Sequence, residues 1–225
     1  SAEWLNASGK YKFRYRRVNP AGEIAYDTTA VRENGDINAT RLEAGLYGTI
    51  ERGTWNAKVY NYNSERGIPG AIVNNVWRRG ERVWDTNSFF QGSFVKEVND
   101  QFKTQVNAKY AFYRTHYVNN DDKLIEVDNL YKQREVYVST ANMYTIFPFW
   151  DVSMSYDFQW NEMKADMYGF VFPARFTNLL SIATALRLGK VKLQGSGLAT
   201  FVNDRVKEGP APKARQILTP AVFLS

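Results

Sequence analysis

Long segments of strict apolar and polar alternation constrain this chain more than any other feature. In Phe102-Lys103-Thr104-Gln105-Val106-Asn107-Ala108-Lys109-Tyr110-Ala111-Phe112 the even positions are mostly apolar and the odd ones mostly polar. Val152, Met154, Tyr156, Phe158 and Trp160 repeat the pattern against Ser153, Ser155, Asp157, Gln159 and Asn161. A period of two marks a strand with one apolar and one wet face. These segments run to about 10–14 residues, whereas soluble strands commonly run about 5–6 and about 9–11 tilted residues cross a bilayer. Length and alternation together point to a piece of an outer-membrane barrel.

About ten strands are expected, at roughly 3–17, 37–50, 55–65, 86–97, 101–118, 133–146, 151–162, 177–188, 191–205 and 216–225. Tight turns are expected at 51–54, 97–100, 147–150 and 188–190, where Asn, Asp, Gly and Pro supply turn chemistry. Longer connections fall at 67–85, 119–132, 163–176 and 206–215. Short and long connections alternate, which gives an antiparallel up-and-down meander with all short turns at one end. Membrane barrels sort their loops this way, and Greek-key sandwiches have no reason to. Trp55, Phe147, Phe149 and Trp150 near the short turns, with Tyr60, Tyr62, Tyr113, Tyr117 and Trp160 nearer the long loops, read as two interfacial girdles. The fold class is all-β, a segment of a transmembrane β-barrel that is open, or a partial barrel, in isolation. Val106, Ala108, Val152, Met154 and Tyr156 are expected to face lipid, and Gln105, Asn107, Lys109, Ser153, Ser155 and Asp157 the opposite side.

The 225 residues contain no run of about 18 apolar residues, so a transmembrane helix is excluded. The mean hydropathy is negative, which suits a barrel whose lumen side is polar. There is no cysteine, hence no disulfide framework and no thiolate metal site. The net charge of +6 comes from basic residues read as dispersed through strands and loops, with no polybasic arm, so nucleic acid is not an expected partner.

Several blocks resemble the barrel of TonB-dependent outer-membrane receptors, in the branch similar to vitamin B12 and siderophore receptors. They are Lys12-Phe13-Arg14-Tyr15-Arg16 with Ala25-Tyr26-Asp27-Thr28-Thr29, Ser64-Glu65-Arg66-Gly67-Ile68-Pro69-Gly70-Ala71-Ile72, Glu135-Val136-Tyr137-Val138-Ser139, and Leu218-Thr219-Pro220-Ala221-Val222-Phe223-Leu224-Ser225. The second is the most specific. The resemblance implies that residues 1–225 are a middle part of a barrel of about 22 strands, with plug domain and closing strands lying outside these residues. It implies a bacterial outer-membrane location, contact with outer-membrane lipid, a small scarce nutrient as ligand, and a periplasmic TonB-type energy-transducing protein as partner through the plug.

No enzyme is expected. His116 is the single histidine, no G-x-S-x-G elbow occurs and the carboxylates are scattered. No cofactor is expected, although Asp121 and Asp122 in Asn119-Asn120-Asp121-Asp122 offer oxygen ligands for calcium in an outer loop, at a spacing unlike an EF-hand. For ligand binding, Arg66, Trp77, Arg78, Arg79 and Arg82 gather guanidinium forks and one aromatic in a Gly- and Pro-shaped loop, suited to an anionic group. A soluble β-rich carbohydrate-binding or adhesion domain, and a purely structural porin piece, are the competing expectations.

Overall fold

The computed structural model describes residues 1–70, 80–120 and 126–224. It is all-β and antiparallel. The strands are β1 (Ala2–Ala7), β2 (Tyr11–Val18), β3 (Ile24–Arg32), β4 (Ile37–Ile50), β5 (Gly53–Ile68), β6 (Glu81–Glu97), β7 (Phe102–Asn119), β8 (Val127–Phe147), β9 (Trp150–Ala165), β10 (Ala174–Leu188), β11 (Val191–Arg205) and β12 (Arg215–Leu224). Ten of them form one sheet in the order β1-β4-β5-β6-β7-β8-β9-β10-β11-β12, while β2 and β3 form a sheet of two. Apart from β1 and β4, each strand of the large sheet neighbours its sequence neighbour, as a meander requires. The chain falls into two units, one of Ser1–Leu42, Asn61–Asn87 and Arg114–Tyr131, the other of Glu43–Tyr60, Ser88–Tyr113 and Lys132–Ser225.

The strand expected at 3–17 is corrected. Ser8-Gly9-Lys10 breaks it, only β1 joins the large sheet, and residues 11–32 form a separate hairpin inserted between β1 and β4. The hairpin closes through Asn19-Pro20-Ala21-Gly22. The Asn19 side-chain oxygen accepts from the Ala21 and Glu23 amides at 3.0 and 2.9 Å, and Gly22 takes a left-handed φ of 84°. At its neck two chain segments cross so closely that a Cβ on Gly9 would sit 1.9 Å from the Gly35 carbonyl oxygen.

The Ser64–Gly70 block is the seat of that neck. Asn34 donates to the Ile68 carbonyl at 3.0 Å and the Glu81 carbonyl at 2.8 Å, and the Gly67 amide donates to the Asp36 carbonyl at 2.9 Å. Arg32, which is buried, donates to the Pro69 carbonyl at 2.6 Å and also to that of Gly70. A Cβ on Gly67 would lie 2.3 Å from Asn34 Oδ1 and 2.6 Å from its carbonyl oxygen, so no larger residue fits without moving backbone. Gly67→Ala is expected to cost about 1–3 kcal/mol locally and to make residues 10–35 cleavable at a lower protease concentration. Unchanged protease resistance would show that the neck does not depend on this approach.

The strands run further than the sequence reading allowed. β5 extends to Ile68, β6 begins at Glu81, β8 at Val127 and β10 at Ala174. Alternation along β4 to β11, which are 14 to 21 residues long, leaves the sheet's two faces sharply different. On β9 and β10, Met154 lies opposite Ile182 and Tyr156 opposite Leu180, while Ser155 lies opposite Ser181. On β10 and β11, Leu180 lies opposite Ala199 and Leu186 opposite Leu193. One face is therefore apolar across neighbouring strands, and many of its large side chains lie open. Within the second unit Leu46 (69 % exposed), Val59, Phe90, Val106, Tyr110, Val138, Met154 and Ile182 (53 %) all lie open.

Among the described residues the buried apolar side chains are Ala39, Val83, Ala111 and Ala165, and no large side chain is fully buried. All four are small, so little apolar volume is enclosed among the described residues. The expected parity holds: Val106 is exposed, whereas its neighbour Asn107 donates to Ser139 Oγ at 3.0 Å on the other face.

Candidate functional site

The second face is held by paired polar groups. In the second unit Lys109, 30 % exposed, meets Glu135, 16 % exposed, at 3.1 Å, and its ammonium stands 5.6 Å from the centre of the Phe89 ring. Tyr60 stacks on the same ring at 4.8 Å, and Lys58 reaches it at 6.0 Å while pairing with Glu43 at 2.8 Å. Tyr137 donates to Asp157 at 2.9 Å, and Asp151 accepts from Thr145 at 2.8 Å and pairs with Arg187 at 2.7 Å. Each pair links neighbouring strands on the face where the alternation places its polar residues.

This placement corrects the girdle expected nearer the long loops at Tyr60, Tyr113 and Tyr117, whereas Trp160 keeps the parity of Met154 and Tyr156 on the apolar face. Tyr60 stacks on Phe89, whereas Phe90, the next residue, is exposed on the apolar side. Tyr113 accepts from Lys109 at 3.5 Å and Tyr117 donates to Glu81 at 3.2 Å. Strand parity therefore turns these tyrosines to the polar face, and position along the strand alone did not reveal it. At the short turns Phe147, Phe149 and Trp150 stack together, with ring centres 5.5 and 6.4 Å apart.

Of the five candidate ligand residues, Arg66 and Arg82 fall within the described residues. Trp77, Arg78 and Arg79 lie outside the described residues, as do Asp121 and Asp122. Arg66 belongs to β5 and pairs with Asp85 at 3.1 Å. Arg82 belongs to β6, reaches Asp36 at 2.9 Å and Glu65 at 2.7 Å, and also donates to Asn34 at 3.3 Å. Glu65 and Arg66 are consecutive on one strand and point to opposite faces. Arg66 and Arg82 consequently stand on opposite sides of the sheet, each matched to carboxylates. The Arg82 guanidinium holds the Asp36 carboxyl below the ordinary carboxylate range.

On the Arg82 side of the first unit, Trp84 stacks on His116 at 5.2 Å, and His116 Nε2 lies 2.6 Å from Asp128. A hollow of about 430 Å³ adjoins them, lined also by Asn38, Glu65, Thr86 and Arg114. The histidine thus has a neighbouring carboxylate and a stacking partner at the surface. Among the described residues no group of three His, Asp or Glu side chains is gathered for a metal.

A second cavity lies in the second unit, at the long-connection ends of β9, β10 and β11. It measures about 540 Å³, within the usual 300–1,000 Å³ of small-molecule pockets. Register sets its floor: Asn161 lies opposite Arg175 and Arg175 opposite Asp204, all on the polar face. Arg175 grips Asp204 through two bonds of 2.6 and 2.9 Å, leaving the Asp204 side chain 10 % exposed. Met163, Val171 and Val206 line the walls with Pro210 and Pro212. The two connections that roof it are tied together, the Lys207 amide donating to the Val171 carbonyl at 3.1 Å and the Lys207 ammonium lying 5.7 Å from the Phe172 ring. Sequence reasoning passed over this place. The available signal was Phe170-Val171-Phe172-Pro173 and Gly209-Pro210-Ala211-Pro212, two apolar connections flanking an Arg and an Asp that sheet register makes neighbours.

No family model matches the chain, and no curated protein matches its sequence. Among solved structures, the ferric citrate transporter FecA in its unliganded form is similar in fold, with a TM-score of 0.57 and 12 % sequence identity. The match covers 98 % of this chain and 37 % of that one. At this identity the likeness shows the fold, and this chain is accordingly an antiparallel meander of the kind found within that transporter's barrel.

Proposed function

We propose that these residues form part of an outer-membrane, TonB-dependent receptor barrel for energised uptake of a small, scarce nutrient such as an iron chelate or a cobalamin-like compound. The observation that carries this reading is the inversion of the sheet: its apolar face is exposed and its polar face is cross-linked by ion pairs and hydrogen bonds. Lipid solvates the first face and a wet lumen the second. The similar solved structure is a ferric citrate transporter, which supports transport as the activity class. Energy coupling belongs to the plug of such receptors, through which a periplasmic TonB-type protein acts. The cavity over Arg175 and Asp204 stands on the lumen side, where a ligand passes.

Membrane fractionation and uptake test this directly. The intact gene product is expected in the outer-membrane fraction, and its deletion is expected to abolish uptake of one ferric chelate or corrinoid in a manner sensitive to collapse of the proton-motive force. A detergent-free, monomeric, cooperatively folding product in the soluble fraction would overturn the reading in favour of a soluble binding domain. Filling the cavity with Val171→Trp is expected to weaken uptake affinity about tenfold, the equivalent of about 1.4 kcal/mol of lost fit, with normal membrane assembly. Unchanged affinity would remove this cavity from the ligand's path.

A further inference from the structure

The inserted hairpin carries a concentration of charge that the expectation of dispersed basic residues missed. Positions 10–17 hold Lys10, Lys12, Arg14, Arg16 and Arg17 and no carboxylate. The pleat of β2 sorts them. Tyr11, Phe13 and Tyr15 share one face with Tyr26, with Tyr15 and Tyr26 packed at 5.8 Å and Tyr11 and Phe13 at 6.3 Å. Lys12, Arg14 and Arg16 share the other, opposite Val31, Thr29 and Asp27, and all three cations are exposed. Asp27 is the one acid on that face, and Arg14 takes it through two bonds of 2.8 and 2.5 Å. Lys12 and Arg16 have no ion-pair partner among the described residues. Beside the closing turn, Val18 and Ile24 are both about half exposed, at 50 and 53 %.

We propose that the β2–β3 hairpin is a docking arm for the anionic phosphate headgroups of the outer lipid leaflet. The stripe is linear and one-sided, with cations about 6.6–6.8 Å apart at alternate strand positions, so it fits an extended anionic surface better than a single bound molecule. Exposed Val18 and Ile24 next to the cations add an apolar contact that a soluble anion would not use and a membrane interface does. The insertion joins β1 to β4 at the end of the sheet that bears the long connections, the outer side in the receptor reading on which this inference rests.

The chain contains no cysteine, so single labels are available. Ala21→Cys at the hairpin turn, carrying an environment-sensitive fluorophore, is to be compared in nanodiscs of phosphatidylcholine alone and of phosphatidylcholine with diphosphoryl lipid A. A second label at Leu46→Cys on the apolar face reports membrane insertion independently. With lipid A the hairpin label is expected to shift to the blue and become accessible to a headgroup-level quencher. The shift is lost at high salt, and the immersed fraction falls about fivefold for each cation removed in Lys12→Ser, Arg14→Ser and Arg16→Ser. Inorganic phosphate or soluble polyphosphate that shifts the label without lipid A would overturn the proposal in favour of a soluble anion. So would equal signals in the two bilayers, or a triple variant that behaves as the parent. If the Leu46 label also reports water, the receptor reading itself fails; if it reports lipid while the hairpin label does not respond, only the docking arm fails.

Discussion

Ile182→Arg is expected to destabilise the bilayer-inserted protein by about 2–4 kcal/mol, the cost of a cation on the lipid face near the midplane, whereas Ser181→Arg is expected to cost less than about 1 kcal/mol. The two residues are neighbours on β10. Ile182 is 53 % exposed and lies opposite Met154, while Ser181 lies opposite Ser155 on the face bearing the Asp151–Arg187 and Arg175–Asp204 pairs. Urea titration of refolding into lipid vesicles measures the difference. The comparison discriminates strongly because water would reverse it: an exposed Ile in a soluble domain accepts arginine at almost no cost, and the partly enclosed serine would then be the sensitive position. A tolerated Ile182→Arg in a protein that does not tolerate Ser181→Arg would exclude a lipid-facing surface here.

The Lys109–Glu135 pair is the second place where a large effect is expected. Both groups are mostly enclosed, the pair is 3.1 Å long, and the ammonium also sits over Phe89. Lys109→Met leaves the Glu135 carboxylate without its cation in a site of reduced hydration, at a cost of about 1.5–3 kcal/mol. Lys109→Met with Glu135→Gln is expected to recover more than half of that loss, because both charges are then gone. Equal losses in the single and double variants, by the same vesicle titration, would mean the pair contributes no coupling and that the polar face is held by its backbone alone.

How far the sequence foretold this molecule is clearest at particular residues. The parity of Val106 against Asn107 was legible because a buried or lipid-facing strand writes its period of two directly into composition. The hairpins at 51–54, 97–100, 147–150 and 188–190 were legible from turn chemistry and coincide with the short joins between β4 and β5, β6 and β7, β8 and β9, and β10 and β11.

The inserted hairpin was not legible as an insertion, since β2 alternates like the strands around it. What separates it is Gly9 against Gly35, a close backbone crossing between residues 26 positions apart. The ends of β5 and β6 were also misjudged, and with them Arg66 and Arg82. A charged, Gly-containing stretch reads as a loop, yet Arg66–Asp85 and Arg82–Glu65 are cross-strand pairs on opposite faces. The Arg175–Asp204 cavity was hidden for a related reason. Its two charges are 29 residues apart, and only the register of β10 against β11 brings them together.

The central claim is that the exposed apolar face meets lipid. A spin label placed in turn at residues 180, 181, 182 and 183 of the membrane-reconstituted protein tests it most directly, read by collision with oxygen dissolved in lipid and with a water-soluble nickel chelate. Oxygen accessibility is predicted to be high at 180 and 182 and low at 181 and 183, with the nickel chelate excluded from the even positions. Free access of the nickel chelate to 180 and 182 would place that face in water and contradict the account.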